Sequence, residues 1–365
     1  MSGQGRILLI GLGDLGRRLA LGLAARGELA EIVVAARRRP DGAAFAALAG
    51  ACGSVPVRFA ELDVLDVDAV AARLREDAPD LVVQCAALCS PWATLTERAA
   101  RVLRASGFAI NLPAQLPAVL AVMRAARAVG FSGPVVNCSF PDVTHPILAK
   151  LGLAPTIGIG NVGMIAATVR HALRQAGRPS DRIRVLAHHS HVTAAMTRER
   201  SLVAAGPHPR VFVDEAGTAE DDLVYRGPPL ASSRELNALS AAHGLDVITA
   251  LLPGGRPLST SAPGPSGLPG GWPVRIADGR VELDLPPTLT REAALRDCEA
   301  AAAGDGVAQI ADDGTVHFTH AAQRAVESLS IELAAPLAPD ACLARFALLR
   351  RYLTEPSPIA TGSLR

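Results

Sequence analysis

The sequence predicts an α/β protein: a doubly wound parallel sheet over residues 1–145, followed by an α+β second domain over residues 146–365. Three observations predict it. Strand-length apolar runs alternate with amphipathic helical stretches through the first part of the chain. The first of these runs ends in a glycine pattern that opens a helix. Beyond Asp142 the alternation gives way to short strands joined by Asp-Gly turns, the mark of antiparallel pairing.

Taken in order, residues 6–10 read as a strand, 14–26 as a helix, 31–36 as a strand and 43–49 as a short helix. A strand over 57–62 leads to a helix over 67–76, which Asp66 is placed to cap. Then come a strand over 80–86, a helical stretch over 95–106, a strand over 108–111, a helix over 116–128 and a strand over 134–137. The strands are near-continuous apolar runs, as expected where helices cover both faces of a sheet. In the second part, the Gly-rich residues 158–163 enter a helix running through Leu173, and a strand over 182–187 ends at His188, His189 and His191. Hairpins around Asp278-Gly279 and Asp313-Gly314 and two helices ending near Leu353 complete the chain. The segment 253–273 holds six Gly and six Pro in 21 residues and reads as a loop, either disordered or a lid.

Composition narrows the function classes. Apolar residues make up 49% of the 365, ample for a packed core, and the length suggests two domains. A net charge of +1 gives no broad field for a polyanion, so no nucleic-acid partner is expected. No uncharged apolar run of the ~18–20 residues needed to span a membrane stands out. Ile7 to Ile10 follow a basic residue but run into the glycine pattern without a cleavage site, which makes them a strand. The six cysteines lack CxxC spacing and read as reduced thiols of a cytoplasmic protein, with no metal and no disulfide framework. A small-molecule substrate and a homodimer, the common default for this architecture, are the expected partners. Of 36 Lys and Arg residues only Lys150 is a lysine, so a lysine base has one candidate. Tyr225 and Tyr352 are followed four places on by Pro229 and Pro356, which excludes a reductase that pairs Tyr with a Lys at that spacing.

Gly11-Leu12-Gly13-Asp14-Leu15-Gly16 is GxGxxG in the context that gives it meaning, between an apolar strand and a helix of a βαβ unit. The first glycine permits the tight turn, the second lets a pyrophosphate approach, and the third lets helix pack on strand. Phosphate oxygens then meet free N–H groups at the helix start, so Gly11, Gly13, Asp14, Leu15 and Gly16 are expected cofactor contacts in a Rossmann domain. The second strand ends without a carboxylate and is followed by Arg37, Arg38 and Arg39. Guanidinium groups there suit a 2′-phosphate, so NADP(H) is expected over NAD(H). Asp63 either accepts from the adenine amino group or caps a helix, and Ala86 and Ala87 leave room for the cofactor backbone.

From the fourth strand onward, the order of features resembles the lactate/malate dehydrogenase family. The stretch from Asp80 to Ala87, the pair Asn137 and Asp142, the passage from Gly152 to Gly160, and Val185-Leu186-Ala187-His188-His189 carry the resemblance. It implies that Asn137 contacts the nicotinamide ribose or substrate and that His189 is the proton donor in carbonyl reduction. That family also orients its histidine with an Asp and grips a carboxylate with an Arg, and the turn from Gly160 to Ala167 holds neither. The stretch from Phe59 to Ala87, with Leu62-Asp63-Val64-Leu65-Asp66, is similar to the cofactor domain of saccharopine-dehydrogenase-like reductases, which implies NADP and an amine or imine substrate.

If the histidines lie on a strand, His189 and His191 share one face and His188 takes the other, with no third metal ligand identifiable. His145 is a second candidate acid, with Asp142 near enough in sequence to orient it. The expected function is an NADPH-dependent oxidoreductase passing hydride to a carbonyl or imine carbon, with His189 as proton donor and Asn137 positioning nicotinamide or substrate. The rival expectations are a catalytically silent NADP-binding sensor or scaffold, and a redox-neutral enzyme that uses a bound dinucleotide.

Overall fold

The computed structural model describes residues 5–26, 29–93, 95–180, 182–203 and 206–353. The part of the expected second domain from residue 354 onward lies outside them.

Strands β1 (Gly5–Ile10), β2 (Leu29–Ala36), β3 (Val57–Glu61), β4 (Leu81–Gln84), β5 (Val135–Asn137) and β6 (Ile157–Gly158) form one sheet in the order β3-β2-β1-β4-β5-β6. Every pairing in it is parallel, the doubly wound arrangement that places a ligand crevice at the carboxyl ends of β1 and β4. Side chains alternate across the sheet as the strand period requires: Leu8, Ile10, Val33 and Val82 enter one core, while Ile7, Leu9, Ile32 and Val83 enter the other. Helices α1 (Asp14–Arg26) and α2 (Arg39–Ala51) cover the second face. On the first face lie α3 (Val67–Asp77), α4 (Glu97–Ser106) and α5 (Leu112–Ala128).

Residues 108–111, expected as a strand, are instead a turn of 3-10 helix that runs directly into α5. Gly107, in the left-handed region at φ +80°, and Pro113 near the start of α5 set this entry. The stretch is apolar on all sides because the helix is buried on all sides, a case in which periodicity does not separate helix from strand. As one piece, Phe108–Ala128 is long and apolar enough by length and composition to cross a membrane, and 83% of that window is buried in the core. Breaking the segment in two hid that length in the sequence.

The second part contributes α6 (Pro141–Lys150), α7 (Val162–Gln175), β7 (Ile183–Leu186), α8 (Val192–Thr197), β8 (Arg210–Val213), β9 (Thr218–Ala219) and α9 (Asn237–Leu251). Beyond them lie β10 (Leu258–Pro263), β11 (Gly271–Ala277), β12 (Arg280–Leu283), α10 (Arg291–Ala302), β13 (Val307–Ile310) and β14 (Val316–Phe318). The last helices among the described residues are α11 (His320–Glu327), α12 (Ile331–Ala334) and α13 (Cys342–Leu349). Antiparallel sheets β7-β8-β9, β10-β11-β12 and β13-β14 give this part its α+β character. The parallel sheet runs past residue 145 to β6, and residues from Val307 to Leu349 return to pack beside α5.

Residues 253–273 are neither a disordered loop nor a lid. Most of the segment is the β10–β11 hairpin, with Ala262, Trp272 and Val274 fully buried. Its glycines are not breakers. Gly264, Gly267 and Gly270 take left-handed φ of +60°, +86° and +69° to turn the chain, and a Cβ on Gly271 would lie 2.3 Å from Val162. Gly271 exchanges backbone hydrogen bonds with Ala187 (2.7 and 3.1 Å), directly before the histidine cluster.

Candidate active site

A cleft of about 910 Å³ opens where β1 and β4 end. Gly11 stands at its base with φ +104°, and a Cβ there would lie 2.5 Å from the Ala86 backbone. A Cβ on Gly16 would lie 2.0 Å from the Gly11 carbonyl, so the helix can approach the strand only with glycine at that place. Gly13 differs: a Cβ would meet no protein atom within 4 Å, because its free side faces the cleft. The backbone therefore offers a phosphate a bare approach at the start of α1. Asp14 and Leu15 also line the cleft. The Asp14 carboxylate accepts from Arg18 Nε and Asn237 Nδ2, both at 2.9 Å, which ties α1 to the start of α9. Burial pushes the Asp14 pKa up, but these donors outweigh it and hold the pKa below the ordinary value.

Along the wall, Arg37 and Arg38 are exposed and border the cleft, whereas Arg39 begins α2 and does not. Arg38 pairs with Asp41 at 3.2 Å. Asp63 lines the cleft and accepts from the Leu65 N–H at 3.1 Å; the helix cap is Asp66, which accepts from Ala69. Ala86 and Ala87 form the floor after β4. The Gln84 side chain bonds both backbone groups of Ala86, and Ser139 Oγ donates to the same carbonyl at 2.9 Å. Cys85 and Cys138, one after each of β4 and β5, bring their sulfurs within 3.3 Å of one another at this floor.

Asn137 is not in the cleft. It is fully buried and holds the turn after β5: its Oδ1 accepts from Ser139 N and its Nδ2 donates to the Ser139 carbonyl and Thr144 Oγ1. The expected contact with nicotinamide or substrate is corrected to a structural role in shaping that turn.

The histidines do not continue a strand. His188 ends the extended chain, and residues 189–191 form a 3-10 turn into α8. Strand parity thus fails: His188 and His189 converge on Asp305, while His191 turns to the Pro207 carbonyl (2.9 Å) and accepts from the His188 N–H. His189 Nδ1 lies 2.8 Å from Asp305 Oδ1, and His188 Nδ1 lies 3.1 Å from Oδ2. The His189 side chain is 25% exposed and borders the cleft, whereas His188 is 0% exposed, so only His189 can meet a ligand. The rings of Phe108 and Phe140 pack against His189 at 4.5 and 4.9 Å and fix its plane.

Burial opposes protonation of His189, yet the charge and hydrogen bond of Asp305, with Asp142 behind it, raise its pKa above the ordinary value. Asp305 is itself buried, which favours its neutral form, but the two histidines hold its pKa well below the usual carboxylate range. Asp142 is shifted the other way, upward, by burial. Its Oδ2 accepts from Asn161 Nδ2, and Asn161 holds a left-handed φ of +33° at the cleft edge.

His145 is removed as a candidate acid. It is fully buried, its Nδ1–H meets the Gly264 carbonyl at 2.7 Å rather than Asp142, and burial lowers its pKa to about 4.

Sequence reasoning missed Asp305, which supplies the carboxylate that the turn from Gly160 to Ala167 lacks. The signal lay in its flanks. Gly304 and Gly306 let this turn sit against Ser190 and Ser106, and Gly107 gives way to the Asp305 backbone, which would lie 2.4 Å from a Cβ there.

A parallel sheet with this strand order and a bare glycine loop at its crevice is a Rossmann-type fold for a nicotinamide dinucleotide, here with an Asp-held histidine at the rim. Comparison with known proteins agrees. Residues 7–96 match the family described as saccharopine dehydrogenase NADP binding domain. Among solved structures, the fold is similar to malate dehydrogenase from Archaeoglobus fulgidus in complex with NADH, with TM-score 0.54, 14% identity, and coverage of 82% of this chain and 98% of that one. It is also similar to a lactate dehydrogenase from a Medee basin deep-sea metagenome library, with TM-score 0.51, 16% identity and coverage of 83% and 97%. At such identities the likeness is one of fold. No curated protein sequence matches the chain.

Proposed function

We propose that the protein is an NADPH-dependent reductase that delivers hydride to a carbonyl or imine carbon of a small molecule, with His189 giving the proton to the oxygen or nitrogen. The observation that carries this reading is His189 itself: partly open to the cleft, with Nδ1 held at 2.8 Å by buried Asp305 and Nε2 left as its free nitrogen. When bound, the dinucleotide supplies the hydride. Gly11, Gly13 and Gly16 with the start of α1 would hold its pyrophosphate, and Ala86 and Ala87 would pass its backbone. Asp305 orients the imidazole and favours its protonated form, the form that can give a proton.

Preference for the 2′-phosphate rests on Arg37, which borders the cleft beside Arg38 and has no carboxylate partner among the described residues. Arg37→Ala is expected to weaken NADPH far more than NADH in fluorescence titrations; equal weakening would remove the assignment. In a screen of NADPH oxidation against carbonyl and imine panels, His189→Gln should lose about 10²–10⁴-fold in turnover, with NADPH affinity within a few-fold of the parent. Tight NADPH binding with no turnover on any panel would instead favour the silent sensor. Cytoplasmic location and a homodimer are proposed with it as the usual setting of such a reductase.

A further inference from the structure

Beside His189, away from the glycine loop, lies a second cavity of about 340 Å³. It shares His189, Phe108 and Arg104 with the dinucleotide cleft, so the two spaces meet at the imidazole. Its far wall is apolar: Leu103 from α4 and Leu349 from α13 are buried there, and Leu95, Phe346 and Leu353 complete it. Such a chamber suits the non-reacting end of a molecule whose reacting carbon sits at His189.

The charges at its rim are unbalanced. Among the described residues Asp305 is the one carboxylate lining the chamber, and it is already matched by His188 and His189. Arg104 is exposed at the junction of the two cavities, with no hydrogen-bond or ion-pair partner among the described residues. The charge left without a counterpart is therefore positive. Neither the passage from Cys89 to Pro91 nor the turn from Gly160 to Ala167 carries a basic residue, so α4 supplies the available cation.

The geometry points to an amphiphilic monoanion as the substrate: an apolar chain or ring in the chamber closed by α13, a carboxylate at Arg104, and the carbonyl or imine carbon at His189. This rests on the reading of His189 given above and adds to it which molecules reach the imidazole. A small polar acid would leave the apolar wall unfilled, and a neutral apolar ketone would leave Arg104 unmatched.

The test is calorimetric titration of the NADP⁺-loaded protein with straight-chain carboxylates from butanoate to octanoate, and with the primary alcohols of the same lengths. Affinity is expected to rise about fourfold per methylene until the chamber is full, with each acid ahead of its alcohol. Arg104→Gln should erase the lead of acid over alcohol and keep the length dependence. Leu349→Trp, which fills the chamber, should abolish the length dependence. Phe346→Trp, at a less buried position of the same wall, serves the same purpose if the first variant does not fold. Affinity flat with chain length, or a length dependence that survives a folded filling variant, would overturn the inference. Titration of the same samples with NADPH separates the two readings. Loss of NADPH binding by the parent protein sinks the proposed function, whereas intact NADPH binding with flat acid affinities sinks only the chamber.

Discussion

An imidazole against a buried carboxylate is a proton carrier whose set-point the carboxylate controls. With its pKa raised, His189 stays protonated to higher pH than a free histidine, and reduction should hold level at low pH and fall as pH rises through that raised value. Asp305→Asn keeps the shape and removes the charge, leaving burial opposed only by the more distant Asp142. Its rate profile should break at lower pH than the parent's, and an unmoved break would deny Asp305 this role. The same sign governs stability: the protonated ring contributes fully below the unfolded pKa of about 6.5, and that contribution is lost as pH rises through the folded value. His189 was legible in the sequence because it ends an apolar strand. Asp305 was not, because nothing local links two residues 116 positions apart. Asn137 misled for a related reason: a polar residue at a strand end reads as a ligand contact until its partners, Ser139 and Thr144, are seen.

Among the elements, the glycine loop makes two opposite demands on one residue type. Gly16 is required by the protein, since any Cβ would strike the Gly11 carbonyl, so Gly16→Ala should destabilise the fold by about 1–3 kcal/mol in denaturant melts. At Gly13 the protein makes no such demand, and only a bound pyrophosphate would make one. Gly13→Val should melt with the parent yet lose at least tenfold in NADPH affinity, and a variant that bound normally would place the pyrophosphate elsewhere. This loop was readable because its information is contiguous: strand, turn and helix follow within a few residues. The entry to α5 was not, because a helix buried on every side carries no periodic mark.

For the molecule as a whole, the Gly/Pro-rich hairpin is the clearest departure from expectation. Composition counted its glycines and prolines as breakers, whereas packing uses them to bring β11 against β7 and α7. The Ala187 and Gly271 amides should therefore exchange slowly with or without NADPH in hydrogen-exchange measurements. A lid would gain protection only on adding the cofactor. The parallel sheet was legible from its alternating apolar runs, while the return of residues 307–349 to the face under α5 was not, because a chain's pattern does not say which core a late segment joins.

That return also bears on how the molecule is made. Asp305 sits just ahead of the segment that completes the α5 core, so a ribosome must release most of the chain before His189 acquires its counter-ion. The parallel sheet is encoded by residue 158, whereas the acid proposed above gains its partner only once Asp305 has been made. Replacing Asp305 would leave the crevice at β1 and β4 in place while removing that counter-ion, so the proposed acid depends on a turn far along the chain from its own strand.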